Sequence, residues 1–164
     1  RGDLHLAFSV MIVRIRHKRV EYFLQRRAIH KYHSGGLWAN TCCSHPLPNE
    51  HINTAARRRV AEELGIHASL NLVSVGQIRY KHHLDNNLIE HEFDHILVAE
   101  VTTLQWHNNP DEVMESRWWE ESEIVNQLKT DPEVFTAWFA QIFSCTRANM
   151  NTSKMLLRPM PEMN

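Results

Sequence analysis

Little in this chain favours covalent cross-linking: its 164 residues include only three cysteines, Cys42, Cys43 and Cys145, and two of them are adjacent. Such a set makes a poor disulfide framework and suits a reducing compartment, so the expected location is the cytoplasm. An excess of one charge is lacking too. At a net charge of −1 there is no reason to expect nucleic acid or an anionic membrane as partner. No apolar run approaches the ~20 residues of a transmembrane helix, and no repeat or low-complexity tract interrupts the chain. The sequence opens Arg1-Gly2-Asp3-Leu4 without a Met, so its start carries no readable targeting signal. What is present is a 43% hydrophobic complement, enough for one core. We expect one domain over residues 1–150 and an irregular tail over 151–164, where Pro159 and Pro161 lie. The 12 His residues are many, and most read as surface residues.

Periodicity predicts a mixed α/β layout. Residues 4–15 and 20–25 are β-rich runs joined by the charged turn His17-Lys18-Arg19, a hairpin. Residues 28–38 read as loop, broken at Gly35-Gly36. Residues 53–64 read as a helix closed by Gly65. Strands follow at 70–80 and 92–101, with a turn at Asp85-Asn86-Asn87 between them. A short strand at 116–119 leads into a helix at 120–128. Asp131-Pro132 opens a last helix that carries Val134, Phe135, Trp138, Phe139 and Ile142 at helical spacing.

The densest chemistry lies in NTCCSHPLPNEHINTAARRRVAEELGI, residues 40–66. Residues three or four apart share a helix face, so Arg58, Arg59, Glu62 and Glu63 should cluster near one helix end. Hard carboxylate oxygens suit Mg²⁺, which binds few protein ligands together with substrate phosphates. An Arg among them offers a fork to two phosphate oxygens. A second group is Glu90 and Glu92, which alternation on a strand turns to one face. With the imidazoles of His5 and His45 they would make a mixed nitrogen and oxygen site suited to Zn²⁺, Mn²⁺ or Mg²⁺. Each feature alone has a plainer reading: a solvated helix, an exposed strand face, ordinary surface charge at Arg26 and Arg57.

The 40–66 stretch is similar to the Nudix box: a Gly, five residues, Glu, seven residues, then Arg-Glu-apolar-x-Glu-Glu-x-Gly-apolar. Glu50, Arg58, Val60, Glu62, Glu63, Gly65 and Ile66 fall in place, while Ser44 replaces the Gly and Arg59 a metal-binding Glu. A site altered at that Glu should hold a diphosphate but be poorly built to hydrolyse it. Taken with LHLAFS at 4–9, residues 24–46, RYKHHLDNNLIEHE at 79–92 and DEVMESRWW at 111–119, the chain resembles type 1 isopentenyl-diphosphate isomerases. The resemblance runs from about residue 4 to about residue 147, and in that family Ser44 and Arg59 are ordinary.

The resemblance implies a Nudix-like fold, a mixed sheet sandwiched by helices. It also implies interconversion of isopentenyl and dimethylallyl diphosphate by a 1,3-proton shift. It assigns Cys43 and Glu92 as the acid–base pair, with Tyr80 and a metal tuning Glu92 and the site's cations tuning Cys43. Glu92 is expected to deliver the proton and Cys43 to accept one, with Cys42 facing away. Arg27, Lys31 and Arg59 match the residues that grip the diphosphate, with Mg²⁺ held through Glu63. His5, His45, Glu90 and Glu92 match four of five ligands for a second divalent metal. The fifth, a His, and a further Lys for the diphosphate would stand before the LHLAF segment. Trp138 matches an aromatic that faces the cationic intermediate. The expected partner is a small-molecule diphosphate alone, on a monomer or a dimer. Two rivals stand beside this reading, a nucleoside-diphosphate hydrolase and a non-catalytic metal-binding scaffold.

Overall fold

Two runs of alternating apolar residues, separated by His17 and Lys18, fold back on each other. β1 (Leu4–Arg16) and β2 (Arg19–Arg27) form an antiparallel hairpin with Arg16 opposite Arg19. His17 and Lys18 sit at φ 52° and 64°, the left-handed geometry whose twist suits a two-residue hairpin loop. The computed structural model describes residues 4–83 and 89–157, and the side chains of residues 5–80 and 92–150.

The remaining elements are β3 (Trp38–Ala39), β4 (Cys42–Ser44), α1 (Ile52–Leu64), β5 (Val73–His83), β6 (Ile89–Glu100), β7 (Val113–Glu120), α2 (Glu121–Thr130) and α3 (Phe139–Leu157). They build a seven-stranded sheet with the path β3-β2-β1-β6-β5, to which β4 adds on β1 and β7 on β2. β1 and β6 run parallel and the other pairs antiparallel. The sheet is therefore mixed, as expected.

Alternation divides the core between the two faces of the sheet. Phe8, Val10, Ile12, Leu97 and Ala99 pack on one face with Ala55, Ala56, Val60 and Leu64 of α1. Met11, Val13, Ile96 and Val98 point the other way, onto Ile124 of α2 and Phe139, Ile142 and Phe143 of α3. Each large side chain buried this way contributes about 1.5–3 kcal/mol. Gly65 caps α1 in the left-handed conformation at φ 60°. A Cβ there would lie 2.5 Å from the His107 carbonyl oxygen, so the position needs Gly.

Three expectations are corrected. No helix opens at Pro132; Pro132–Val134 is a single 3-10 turn. Phe135 then bridges Trp38, and Thr136 N–H donates to the Trp38 carbonyl, so the chain leaves helical geometry to pair with β3. α3 starts only at Phe139, which puts Trp138 in the turn before the helix rather than on its core face. The tail after Met150 is not irregular throughout, because α3 continues to Leu157. The strand expected from residue 70 begins at Val73, although Leu70 and Leu72 are buried. The turn expected at residues 85–87, and Pro159 and Pro161, lie outside the described residues.

Candidate active site

Strand register gathers the reactive side chains. Register partners on neighbouring strands share a face, as do residues i and i+2. Cys43 pairs with Ser9, Asp94 with Ala7, and Glu92 with both His5 and Tyr80. All of them emerge on the face that packs against α3. Cys43, Tyr80, Glu92 and Asp94 line a cavity of about 690 Å³, into which Arg27, Lys31, Arg59, Glu63, His45 and Trp138 also project. That volume suits a small ligand. Of the residues singled out from sequence, His5 is exposed on β1 beside Glu92 and does not line the cavity. Glu90 lies on β6, and its side chain is outside the described residues.

Cys43 and Cys42 face opposite sides because β4 alternates. Cys42 is fully buried in the α1 core, and Cys43 looks into the cavity wall. Burial pushes the Cys43 thiol up to about 12, and the nearby Asp94 charge adds to it. Among the protein's own groups, desolvation and a carboxylate act most strongly on this thiol. Its Sγ lies 3.1 Å from Asn40 Oδ1 and 3.3 Å from Ser9 Oγ. Tyr80 is also raised above the usual phenol range, by burial first and then by the Asp94 charge, so it stays protonated and can donate. His45 Nε2 stands 3.7 Å from Glu92 Oε2. Asp94 had no place in the sequence reading, although it continues the alternation Glu90-x-Glu92-x-Asp94. Only 4% exposed, it has its carboxyl lifted to about 6 by burial, opposed by the Ser9 hydrogen bond and reinforced by the Glu92 charge.

The charged group comes from α1, the end of β2 and two loops. Glu63 is nearly buried, its Oε1 accepting from Gln25 Nε2 at 2.9 Å and its Oε2 from Arg59. Arg59 also donates to Glu62 Oε1 at 2.7 Å, while its buried Nε makes no hydrogen bond. Lys31 Nζ donates to Glu112 Oε1 at 2.6 Å, and the same oxygen is 3.7 Å from Arg59. Arg27 Nε donates to the His33 carbonyl at 3.1 Å, and its guanidinium lies 5.6 Å from the Trp138 ring centroid. Glu112 and Gln25 are two further residues missed from sequence; only the register and loop packing bring them in. Arg26 and Arg57, read from sequence as ordinary surface charge, hold backbone: Arg26 donates to the Gly36 carbonyl and Arg57 to the Leu70 carbonyl. Glu50 and Arg58 of the box hold each other through two bonds of 2.9 and 3.0 Å, tying the loop before α1 to the helix.

A mixed sheet between helical layers, with a Glu- and Arg-bearing helix edging the cavity, is the architecture of a NUDIX domain, and the NUDIX domain model matches residues 3–139. Solved structures agree on the fold. The NUDIX domain of Shewanella oneidensis NrtR, complexed with ADP ribose, superposes with a TM-score of 0.69 at 12% identity, covering 90% of this chain and 89% of that one. The MutT protein from Methanosarcina mazei gives 0.66 at 16% identity, covering 90% and 96%. Sequence likeness narrows the family. An isopentenyl-diphosphate Delta-isomerase of Photobacterium profundum is 48% identical over 141 residues, 86% of this chain and 78% of the relative. Another, of Pectobacterium atrosepticum, is 44% identical over 144 residues, 88% and 77%. The chain belongs to the isopentenyl-diphosphate Delta-isomerase family.

Proposed function

We infer that this protein interconverts isopentenyl diphosphate and dimethylallyl diphosphate by moving one proton on and another off a five-carbon tail. The observation that carries the reading is a cavity lined by a thiol, a carboxylate and a phenol from the sheet, and by three cations, Arg27 at the end of β2, Lys31 in the loop after it and Arg59 on α1. In the forward direction a proton added to the terminal carbon leaves a tertiary cation. Loss of a proton from the neighbouring methylene then forms the internal double bond. Cys43 and Glu92 take these two roles. Asn40 Oδ1 beside Sγ can only accept, which supports Cys43 as the group that arrives carrying its hydrogen, with Glu92 as the acceptor. That reverses the direction favoured from sequence. The reaction is reversible, and protonated Glu92 and ionised Cys43 exchange with solvent once product leaves. Tyr80, kept protonated, donates towards the developing charges on this face. The Trp138 indole supplies electron density for the cation without trapping it, worth ~2 kcal/mol when desolvated. Exclusion of water by the apolar wall prevents capture of the cation as an alcohol.

Arg27, Lys31 and Arg59 bind the diphosphate, Arg59 through donors left free by Glu62 and Glu63. A divalent cation is in keeping with this family, and the donors present suit one. Each Glu63 oxygen keeps a second lone pair for Mg²⁺ beside its present bond. His45 and Glu92 approach each other in a nitrogen and oxygen pair, with His5 the register partner of Glu92. Among the described residues no three metal-ligating side chains close a cluster. The Glu90 side chain, outside those residues, is the further ligand of the reading, for Mn²⁺, Zn²⁺ or Mg²⁺. Bound there, a divalent cation would supply positive charge that favours ionised Glu92. Among the described residues no helix is long and apolar enough to cross a membrane; the proposed site of action is the cytoplasm. A metal-loaded sample given isopentenyl diphosphate should yield dimethylallyl diphosphate by proton NMR. Phosphate release without that product would point to hydrolysis, and neither signal to a scaffold.

A further inference from the structure

Ser9 has one hydroxyl hydrogen and two candidate partners. Its Oγ lies 2.7 Å from Asp94 Oδ2 and 3.3 Å from Cys43 Sγ. The short bond to the carboxylate takes the Ser9 hydrogen, and the thiol's single hydrogen goes to Asn40 Oδ1 or to Ser9 Oγ, the other oxygen holding the sulfur by contact. On another side of the sulfur stands Asn40 Oδ1, at 3.1 Å. That amide cannot be reversed. Its Nδ2 donates to the Val10 carbonyl at 3.1 Å and to the Cys42 carbonyl at 3.0 Å, and carbonyls only accept. Ser9 and Asn40 are at most 1% exposed, and Asp94 4%, so water does not compete for the bond from Ser9 to Asp94, while Cys43 is half-buried at the cavity wall. The second Asp94 oxygen, Oδ1, is buried and makes no hydrogen bond among the described residues, where the bond from Ser9 anchors the carboxylate.

A cysteine side chain has one torsion with three staggered wells, and only a well that faces the substrate is productive. Proton transfer to or from carbon needs the reacting atoms about 3–3.5 Å apart, and a misplacement of about 1 Å can cost ~100-fold. We propose that Ser9, held by Asp94, and Asn40 are positioning residues that clamp the Cys43 sulfur in the one rotamer that faces the substrate. The proposal rests on the isomerase reading and adds the residues that aim its thiol. Asn40 also ties β4 to β1, so its replacement threatens the fold; Ser9 and Asp94 carry the test.

Steady-state kinetics with isopentenyl diphosphate should show kcat of Ser9→Ala reduced by about 10- to 100-fold, with KM little changed. Asp94→Ala should fall similarly. The double variant should be no worse than either single one, because both act through the same hydroxyl. Asp94→Asn keeps an acceptor for Ser9 and should recover most of the loss. Wild-type kcat in Ser9→Ala would overturn the proposal, as would a rise in KM alone or losses that simply multiply. A wild-type chain without isomerase activity would defeat the functional reading instead. The Cys43 rotamer in crystals of Ser9→Ala would then decide the clamp: a second rotamer upholds it and an unmoved sulfur overturns it.

Discussion

The sheet-borne and the loop-borne walls of the cavity are built on different principles. On the sheet, Ser9, Cys43 and Asp94 are held in a register that allows no slip, since shifting a strand by one residue would turn every side chain to the other face, and Asn40 just before β4 holds the sulfur. At the end of β2, in the loop after it and on α1, Arg27, Lys31 and Arg59 are half-exposed cations held by carbonyls and by Glu62, Glu63 and Glu112. One wall needs a fixed atom within an ångström of carbon; the other needs charge in roughly the right place. Hydrogen bonds in a dry interior give the first, and long cationic side chains the second.

Breaking the sheet wall should therefore act on turnover, and breaking the other on affinity. The largest effect is expected for Cys43→Ala and Glu92→Gln. Each should lower kcat by about 10²–10⁴-fold or more in steady-state assays while circular dichroism shows an intact fold. Near-normal turnover in either would remove the acid–base assignment. Arg27→Ala should raise KM by about 10- to 100-fold, the worth of a hydrogen bond to a charged group, with kcat less affected. An unchanged KM would count against its role on the diphosphate.

Much of the charged wall is legible in sequence because Arg59 and Glu63 share one helix, and Arg27 and Lys31 share one strand end and the loop after it. Arg59 and Glu63 are four residues apart, and the helical period alone places them together. The partners of Cys43 are not legible. Ser9 and Asp94 are separated by 85 residues, and only the parallel pairing of β1 with β6 joins them. Alternation does turn Asp94 to the side of Glu92, and that is the available signal. Trp138 departs from expectation for a related reason. Helical spacing after Pro132 suggests a continuous helix, but pairing of Phe135 and Thr136 with Trp38 outweighs local propensity and frees Trp138 to line the cavity.

Smaller effects sharpen the contrast. Trp138→Leu keeps an apolar wall but loses the ring face, and should lower kcat by about tenfold with little change in KM. A loss confined to KM would make Trp138 only a packing residue. The smallest effect is expected at Glu50, whose carboxyl the Arg58 hydrogen bonds hold below its usual range. A lowered native pKa adds stability above the unfolded value that is lost as pH falls through the native one. Wild type should therefore lose slightly more stability than Glu50→Gln between neutral pH and pH ~3 in urea titrations, a small difference as for most exposed pairs. Parallel pH curves would show that the pair contributes nothing.

Proton traffic across the cavity can be read directly by NMR in D₂O with isopentenyl diphosphate and the metal-loaded protein. The wild type should place deuterium on the terminal carbon and, through the reverse reaction, on the methylene between the branched carbon and the carbon that bears the diphosphate. Cys43→Ala and Glu92→Gln should do neither at a comparable rate. Wild-type deuterium entry at both carbons in either variant, or release of phosphate in place of exchange, would contradict the claim that this thiol and this carboxylate work on one substrate.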